Sequence, residues 1–150
     1  MLEENADYRL TLLAPITVVE GWESIKAAMM MAIPPEYKVD ERMATNALNA
    51  FRDGRLKAWA LSVENNVVAL VTTVVVNDTI VGVKILELYT LTGFSGVGFD
   101  GWQAGLDVLR VYAKEVGCRF IRANSVNPRV IEIVEALGGN AKVKTIDLEV

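Results

Sequence analysis

The chain has 150 residues, the length of one ordinary domain, and 52% of them are hydrophobic. That apolar share argues against intrinsic disorder and favours strands that are buried on at least one face. The 15 basic and 19 acidic residues give a net charge of −4. No cluster of Lys and Arg is present that would neutralise a run of phosphates, so a nucleic-acid partner is not expected. The composition predicts a single domain over residues 1–150.

The longest apolar stretch, Val67–Val76, contains two threonines and is half the length of about 20 residues that a membrane-spanning helix needs. We therefore predict a buried strand there and expect no membrane partner. The segment Met1–Asp7 is acidic, whereas a secretory signal begins with positive charge. A single cysteine, Cys118, excludes an internal disulfide. These features together predict a cytoplasmic protein.

The first third of the chain favours one strand and two helices. Tyr8–Leu13 has the composition of a short strand. A helix is predicted over Pro15–Ile33, because proline suits the first turn of a helix and the prolines at 34 and 35 cannot continue it. A second helix is predicted over Asp40–Asp53, where apolar residues recur on one face and Gly54 follows as the stop.

The middle of the chain consists of three runs rich in valine, isoleucine, leucine and threonine: Leu56–Glu64, Val67–Val76 and Thr79–Leu91. Such runs are typical of strands. Asn65-Asn66 and Asn77-Asp78 separate them, and Asn and Asp tolerate the positive φ that a two-residue turn requires. The sequence therefore predicts a three-stranded antiparallel meander.

A glycine-rich segment, residues 93–101, precedes the most regularly amphipathic helix of the chain. We predict that Asp100 caps this helix, that Gln103 completes a capping box, and that Gly117 ends it. Cys118–Val126 is predicted as the next strand. Because a strand-helix-strand connection places its strands parallel, this strand makes the predicted sheet mixed.

The last part of the chain favours a short helix and a strand. Asn127 and Pro128 suit an N-cap and a first helical position, and Gly138-Gly139 suits the end of the helix. Thr145–Val150 alternates polar and apolar residues, which predicts a strand with one buried face. The predicted fold is α/β (α+β with a mixed sheet), in the order β-α-α-β-β-β-α-β-α-β.

This order resembles the GNAT superfamily of N-acetyltransferases over nearly the whole chain. The most specific part of the resemblance is residues 127–138, NPRVIEIVEALG, in which an asparagine precedes a helix of alternating apolar positions and Leu-Gly. The family continues with Phe where this chain has Gly139. Ala113, four residues before Gly117, is similar to the end of the family's cofactor-binding helix. The resemblance implies an acyl-CoA N-acyltransferase fold.

The resemblance also implies acetyl-CoA as cofactor, with its pyrophosphate bound by backbone N–H groups of the loop before the long helix. The family has Arg or Gln where this chain has Gly93, and a capping Asp100 would repel a diphosphate and occupy those N–H groups. A purely structural turn is therefore the alternative for the loop. The cofactor-binding positions that the resemblance implies are Leu91, Gly93, Ser95, Gly96, Val97, Gly98, Asn127 and Arg129. For Asn127 an N-cap, and for Arg129 a solvated side chain, are equally good explanations.

Acyl transfer to an amine needs a base and an acid for the leaving thiolate. The family's usual acid, a tyrosine on the last helix, is replaced by Val134, which leaves Tyr89 or Tyr112 as substitutes. Tyr112 lies beside an apolar stripe, which favours a packing role. Glu87 is the candidate base, because it lies on the central strand near the point where the family's sheet splays; the alternative is a solvent-facing carboxylate. The sequence has no histidine, so His-dependent triads and His-ligated metal sites are excluded and no metal is expected.

Two functions from different classes remain open. The first is an acetyl-CoA-dependent N-acyltransferase with eroded catalytic motifs. The second is a non-catalytic GNAT-like structural or interaction module, such as a virion-associated protein, because Asp100-Gly101-Trp102 also resembles the helix start of small GNAT-like proteins encoded by tailed phages. Met29–Met31 cannot all point inward on a helix, so a protein partner or a homo-oligomer is expected to cover part of that face.

Overall fold

The structure is a computed structural model that describes residues 7–34, 37, 39–94, 96–124, 128–141 and 148–150. These residues form one mixed sheet with helices on both faces. In chain order the elements are β1 (Tyr8–Leu12), α1 (Pro15–Glu20), α2 (Trp22–Ala32), α3 (Glu41–Arg52), β2 (Leu56–Val63), β3 (Asn66–Asp78), β4 (Val83–Gly93), α4 (Phe99–Glu115), β5 (Phe120–Ala123) and α5 (Pro128–Ala136).

The strands lie in the order β1-β2-β3-β4-β5. Neighbours from β1 to β4 are antiparallel, whereas β5 runs parallel to β4. The predicted meander and the mixed sheet are therefore confirmed. None of the helices formed by the described residues is both long and apolar enough to cross a bilayer.

The sheet is covered on both faces, and its core has two parts. On one face, α4 contributes Leu109 and Ala113 to a cluster with Trp59 and Leu61 of β2. On the other face, helices α1 to α3 form a second cluster with the opposite-facing residues of β2 and β3, namely Val18, Ile25, Ala28, Met29, Phe51, Leu56, Ala58 and Leu70. The composition predicted strands buried on at least one face, and the two clusters show that the meander has buried residues on both.

The predicted helix Pro15–Ile33 is wrong as a single element, because it is divided at Gly21. The N–H of Gly21 donates to the carbonyl of Thr17 at 3.0 Å, and the residue ends α1 while preceding α2. Glycine costs about 1 kcal/mol relative to alanine inside a helix, so a break is inexpensive there. The second predicted helix is confirmed as α3, and Asp40 caps it by accepting a hydrogen bond from the Met43 N–H at 2.9 Å.

The two predicted turns of the meander differ from the observed ones. The turn between β2 and β3 uses Glu64 and Asn65, with φ of 52° and 65°, one residue earlier than predicted. The two-residue turn at Asn77-Asp78 is wrong, because β3 continues through Asp78 and the turn occupies residues 79–82. The Asp78 carboxylate accepts from the N–H groups of Ile80 and Val81, and Gly82 takes a φ of +69°. A side-chain acceptor and a glycine thus build a longer turn.

The last third of the chain agrees with the prediction in part. The strand predicted over Cys118–Val126 is observed as β5, with residues 125–127 outside the described part. The short helix is confirmed as α5, and Gly138 follows it with a φ of +88°. The predicted final strand falls largely on residues 142–147, which also lie outside the described part, and residues 148–150 form no strand.

Candidate functional site

Among the residues that the structure describes, the parallel strands β4 and β5 are paired at four positions. Their register runs from Ile85 opposite Phe120 to Leu88 opposite Ala123, where β5 ends. Strand β4 continues to Gly93, so residues 89–93 extend past the end of β5. We call the point where this pairing ends the fork. It lies at the carboxyl end of β5 and beside the second half of β4, and open α/β sheets bind ligands at the carboxyl edge of their strands.

A β-bulge lies on β4 beside the fork. Thr72 of β3 pairs with Thr90 and Thr73 pairs with Leu88, which leaves Tyr89 as an extra residue on β4. The buried Thr72 hydroxyl oxygen accepts a hydrogen bond from the Thr90 N–H at 3.1 Å and lies 2.6 Å from the Thr90 hydroxyl oxygen. The side chain of Thr72 therefore satisfies a backbone donor at the irregular pair. The bulge leaves Tyr89 exposed at 55%.

The candidate base Glu87 lies immediately below the fork. It is half-buried, and its carboxylate accepts a hydrogen bond from the Asn124 side-chain amide at 3.0 Å. Its cross-strand partner is Val74, which packs against the core beneath α1 to α3. Because paired residues point to the same side of a sheet, Glu87 lies on that face. The carboxylate is thus partly enclosed and hydrogen-bonded, and its role as a base stays a prediction beside the solvent-facing alternative.

Asn124 is a site residue that the sequence analysis missed. It is the first residue after β5, 37 positions from Glu87, and it meets Glu87 because the two strands are parallel neighbours. A polar residue directly after a parallel strand was the available signal, since such residues gather at the carboxyl edge of the sheet.

The predicted cap of the long helix is wrong. The N-cap is Gly98, two residues before Asp100, and no side chain of the described residues forms a capping hydrogen bond to the helix. The carbonyl of Gly98 accepts from the N–H groups of Gly101 and Trp102 at 3.0 and 3.3 Å. Asp100 lies in the first turn and is exposed. The first N–H groups of α4 are thus not occupied by a carboxylate cap, although the Asp100 charge stays nearby.

The glycines around the start of α4 have very different surroundings. A Cβ added at Gly96 or Gly98 would meet no atom of the described residues within 4 Å. A Cβ added at Gly101 would lie 2.6 Å from Cγ1 of Val97 and 2.8 Å from Cε1 of Tyr8. Gly101 is therefore required for the close packing of α4 on β1, and the sequence analysis gave it no such role.

The structure brings four of the predicted cofactor positions together between the end of β4 and the start of α4: Gly93, Gly96, Val97 and Gly98. The Val97 side chain is buried in the core at 7% exposure, so at this position only the backbone is available to a ligand. Leu91 also packs against that core. Ser95, Asn127 and the side chain of Arg129 lie outside what the structure describes.

The positions considered for the acid differ clearly in their surroundings. Val134 of α5 is half-buried, and no proton donor replaces it at that position. The ring of Tyr112 packs edge-on against Trp59, with centroids 4.9 Å apart. Burial, with a smaller contribution from the nearby Cys118, raises the pKa of Tyr112. Its packing role is supported, and Tyr89 is the tyrosine that lies at the fork.

No cationic side chain belongs to the loop between β4 and α4 among the residues described. On the exposed surface of α4, Asp100 and Asp107 line a shallow depression with Gln103 and Ala104. Among the described residues, no three His, Cys, Asp or Glu side chains come together in a group that could hold a metal ion. An anion at the loop would therefore depend on backbone N–H groups and on the dipole of α4.

No family model and no curated protein matches this sequence, but solved structures do. The ribosomal-protein-alanine N-acetyltransferase from Brucella melitensis biovar Abortus 2308 is 17% identical, with a TM-score of 0.67 over 96% of this chain and 99% of that chain. The aminoglycoside acetyltransferase meta-AAC0020 from an uncultured soil metagenomic sample, in complex with trehalose, is 10% identical, with a TM-score of 0.71 over 95% of both chains. AAC(6′)-Iy in complex with the bisubstrate analogue CoA-S-monomethyl-acetylneamine is 12% identical, with a TM-score of 0.70 over 95% of this chain and 97% of that chain.

Proposed function

Because the chain has the fold of the GNAT acetyltransferases, we propose that it is an acetyl-CoA-dependent N-acyltransferase. The observation that carries this proposal is the fork, where β4 extends past the end of β5 and the half-buried Glu87 carboxylate accepts a hydrogen bond from Asn124. The base, the exposed tyrosine and the start of α4 all lie at that end of the sheet.

The loop residues support binding of a diphosphate by the backbone. Gly96 and Gly98 leave room for phosphate oxygens where any side chain would intrude. The first N–H groups of the 17-residue helix α4 carry the positive end of its dipole and have no capping side chain. Bound acetyl-CoA would supply the activated acyl group. Asp100 opposes its phosphates, and Gly93 offers no side chain in support, so we expect modest affinity.

The side chains at the fork can serve both proton transfers of acyl transfer. When the amine nitrogen forms its bond to the acyl carbon, Glu87 accepts the proton that the nitrogen loses. Asn124 holds the Glu87 carboxylate by its hydrogen bond and so fixes its direction. When the carbon–sulfur bond breaks, the hydroxyl of Tyr89 donates a proton to the thiolate. In this mechanism Tyr89 replaces the acid that Val134 cannot supply.

Titration of acetyl-CoA by calorimetry tests cofactor binding. Gly96→Val fills the open space above the loop and is expected to weaken binding at least about tenfold, the effect of losing one charge-assisted hydrogen bond. Asp100→Asn removes the opposing charge and is expected to tighten binding about two- to fivefold, from about 0.3–1 kcal/mol near a helix N-terminus. Opposite responses from two neighbouring positions would separate a local electrostatic effect from unfolding.

Turnover is tested by release of free CoA thiol with sisomicin or an alanine-initiated peptide as acceptor, acceptor types suggested by the names of structural neighbours. Glu87→Gln is expected to lower the rate about 10²- to 10⁴-fold without weakening acetyl-CoA binding. Tyr89→Phe is expected to lower the rate by a smaller factor than Glu87→Gln, because water can protonate the thiolate in place of the tyrosine.

A non-catalytic interaction module is the second candidate function. It is favoured by the lack of a cationic or amide anchor at Gly93 and by the negative charge of Asp100 in the first turn of α4. Under this alternative, acetyl-CoA at millimolar concentration produces no heat with either the wild type or Asp100→Asn. That result would reject the enzyme proposal.

A further inference from the structure

A cationic side chain that the proposed mechanism does not use lies at the fork. The register of the parallel strands sets Arg122 of β5 opposite Glu87 of β4, and Asn124 follows two positions after Arg122. Neighbouring strands lie about 4.8 Å apart, and residues two positions apart along a strand point to the same face. Glu87, Arg122 and Asn124 therefore share one face of the sheet beside the fork. We call these three residues the polar row.

The polar row lies on the face of the sheet opposite α4. Leu88 and Ile121 alternate with Glu87 and Arg122 along the two strands, and both pack against the core cluster to which α4 contributes. Val97 of the glycine-rich loop is buried in the same cluster. Because successive side chains of a strand point to opposite faces, the polar row and the loop lie on opposite sides of the sheet. A cofactor held by the loop would meet an acceptor that approaches past the polar row.

The guanidinium of Arg122 is available to a ligand. Arg122 is exposed, and within the described part of the chain its side chain has neither an ion pair nor a hydrogen bond. Opposite charges on neighbouring strands commonly pair, but the carboxylate of Glu87 instead accepts a hydrogen bond from Asn124 at 3.0 Å. The positive charge of Arg122 is therefore left for an anionic group of the acceptor.

We propose that the acceptor is an amine that also carries a carboxylate, as an amino acid does, and that Arg122 binds this carboxylate. The inference rests on the proposed function, because it takes Glu87 as the base for the amine. Two parallel N–H groups of a guanidinium match the two oxygens of a carboxylate. The carboxylate takes no part in the bond changes of acyl transfer. Arg122 holds the acceptor so that its nitrogen faces Glu87 on the next strand.

The charges of the polar row favour a carboxylate over other acceptor groups. The row contains one cation and one carboxylate, so a singly charged anion at Arg122 leaves no excess charge. A phosphate monoester carries about −1.5 to −2 charge near neutral pH and would add repulsion from Glu87. An acceptor with cationic groups alone would meet a like charge at Arg122.

An NMR titration tests the site without requiring turnover. L-alanine and its amide, L-alaninamide, are the probes, because one has the free carboxylate and the other does not. Over about 0.1–100 mM ligand, the backbone amide signals of β5 are expected to shift with L-alanine and to shift far less with L-alaninamide. Arg122→Gln is expected to weaken L-alanine binding about 10- to 100-fold, the effect of losing a charge-assisted bidentate contact.

Arg119→Gln is the matched control. Arg119 is also an exposed arginine, but it directly precedes β5, about 10 Å along the strand from Arg122, and its guanidinium lies 5.3 Å from the ring centroid of Phe120. This variant is expected to bind L-alanine like the wild type. Arg122→Lys keeps the charge without the two parallel N–H groups, so its affinity is expected to be intermediate.

Thiol release with the same two acceptors gives a kinetic readout. Arg122→Gln is expected to lower kcat/KM for L-alanine about 10- to 100-fold and to change the value for L-alaninamide far less. Comparing the ratio of the two acceptors between wild type and variant cancels the different basicity of their amines. Far-UV circular dichroism shows whether each variant keeps its fold.

The outcomes separate this inference from the proposed function. L-alanine shifts that disappear in a folded Arg122→Gln would support the carboxylate site even if acetyl-CoA binding fails. The inference is overturned if the wild type binds L-alanine and L-alaninamide equally or binds neither. It is also overturned if Arg122→Gln binds L-alanine as tightly as the wild type does. Turnover that does not depend on Arg122 would overturn it and leave the acyltransferase proposal in place.

Discussion

The two sides of the start of α4 differ sharply in packing. On the side of β1, an added Cβ at Gly101 would lie within 3.0 Å of both Tyr8 and Val97. On the side of the loop, Gly96 and Gly98 have open space around them. Glycines within six residues of one another therefore serve different purposes. Gly101 allows a helix to approach a strand, whereas the loop glycines leave room above the helix N-terminus.

The same contrast recurs on β4. Thr72 and Thr90 are buried and bonded to each other, while Tyr89 between them and the fork is exposed. The site therefore combines two parts. The packed part contains Gly101, Thr72 and Thr90, and the open mouth contains Gly96, Gly98 and Tyr89. Substitutions in the packed part should lower the free energy of unfolding, whereas substitutions in the open mouth should affect ligand binding alone. The predictions below test this division, in order of decreasing effect on stability.

Gly101→Ala is expected to lower the free energy of unfolding by about 3 kcal/mol, the upper end of the range for over-packing. The new methyl group would lie 2.6 Å from Val97 and 2.8 Å from Tyr8, so one of these core side chains or α4 itself must move. Urea denaturation measures the effect. An alanine in a helix interior would otherwise gain about 1 kcal/mol over glycine, so a loss identifies the clash.

Gly105→Ala is the matched control for that change. Gly105 is also buried in α4, but its added Cβ would lie 3.9 Å from the nearest atom, Cδ1 of Leu61. This is an ordinary contact distance, so the substitution is expected to be neutral or to stabilise by up to about 1 kcal/mol. Equal stabilities for the two alanine variants would contradict the close packing around Gly101.

Thr72→Val is expected to cost about 1–2 kcal/mol, because it leaves the buried Thr90 N–H without its acceptor and the Thr90 hydroxyl without its hydrogen-bond partner. Thr72→Ser keeps the oxygen and serves as the control, with a cost near the value of one buried methyl group, about 0.8 kcal/mol. Thermal unfolding separates the two. If the valine variant proves as stable as the wild type, the hydroxyl does not hold the bulge.

The main elements could be predicted because their causes are local. Runs of β-branched residues produced the meander, and Asp40 and Gly117 marked helix ends that the structure confirms. The cap of α4 could not be predicted in the same way. Asp100 has a good capping side chain, yet Val97 is buried in the core, and the helix already begins at Phe99. Tertiary packing outweighed the local preference.

The candidate site was predictable only in part, for the same reason. The glycine loop and Glu87 were predicted as site residues from the chain order and the family resemblance, and they stay predictions. The bond from Asn124 to Glu87 joins residues 37 positions apart, and the need for glycine at 101 comes from Tyr8 on the first strand. Contacts of this kind are set by the strand register. No local pattern of residues records them.

A smaller effect on the free energy of unfolding is expected from pH, through Cys118. This buried residue belongs to the same core cluster as Leu109 and Ala113 of α4. Burial raises the pKa of this thiol above its ordinary value of 9.0, and nearby Lys84 lowers it by less. The folded state then holds the proton more tightly than the unfolded chain, so this contribution is complete below about pH 9. It is lost as pH rises toward the folded-state pKa, by at most about 1.4 kcal/mol per pH unit.

Urea denaturation at intervals between about pH 8 and 10 measures this dependence. Cys118→Ala is less stable throughout because it removes buried sulfur, but it should lose the part of the decline that begins near pH 9. Tyr112, whose pKa is also raised, remains in both proteins and accounts for the loss at still higher pH. If the unfolding free energies of the two proteins fall in parallel with pH, burial does not raise the pKa of the Cys118 thiol.

Gly96→Ala tests the open mouth and should have the smallest effect on stability, within about 0.5 kcal/mol, as for an exposed surface change. The methyl group meets no atom of the described part of the chain within 4 Å, so little effect on folding is expected. A diphosphate bound to the backbone at this position would contact it, which predicts weaker acetyl-CoA binding at unchanged stability. Gly101→Ala has the converse signature, in which unfolding becomes easier while the loop itself is untouched. If Gly96→Ala lowers stability as much as Gly101→Ala does, the two sides of the α4 start are equally packed and the loop has no room for a ligand.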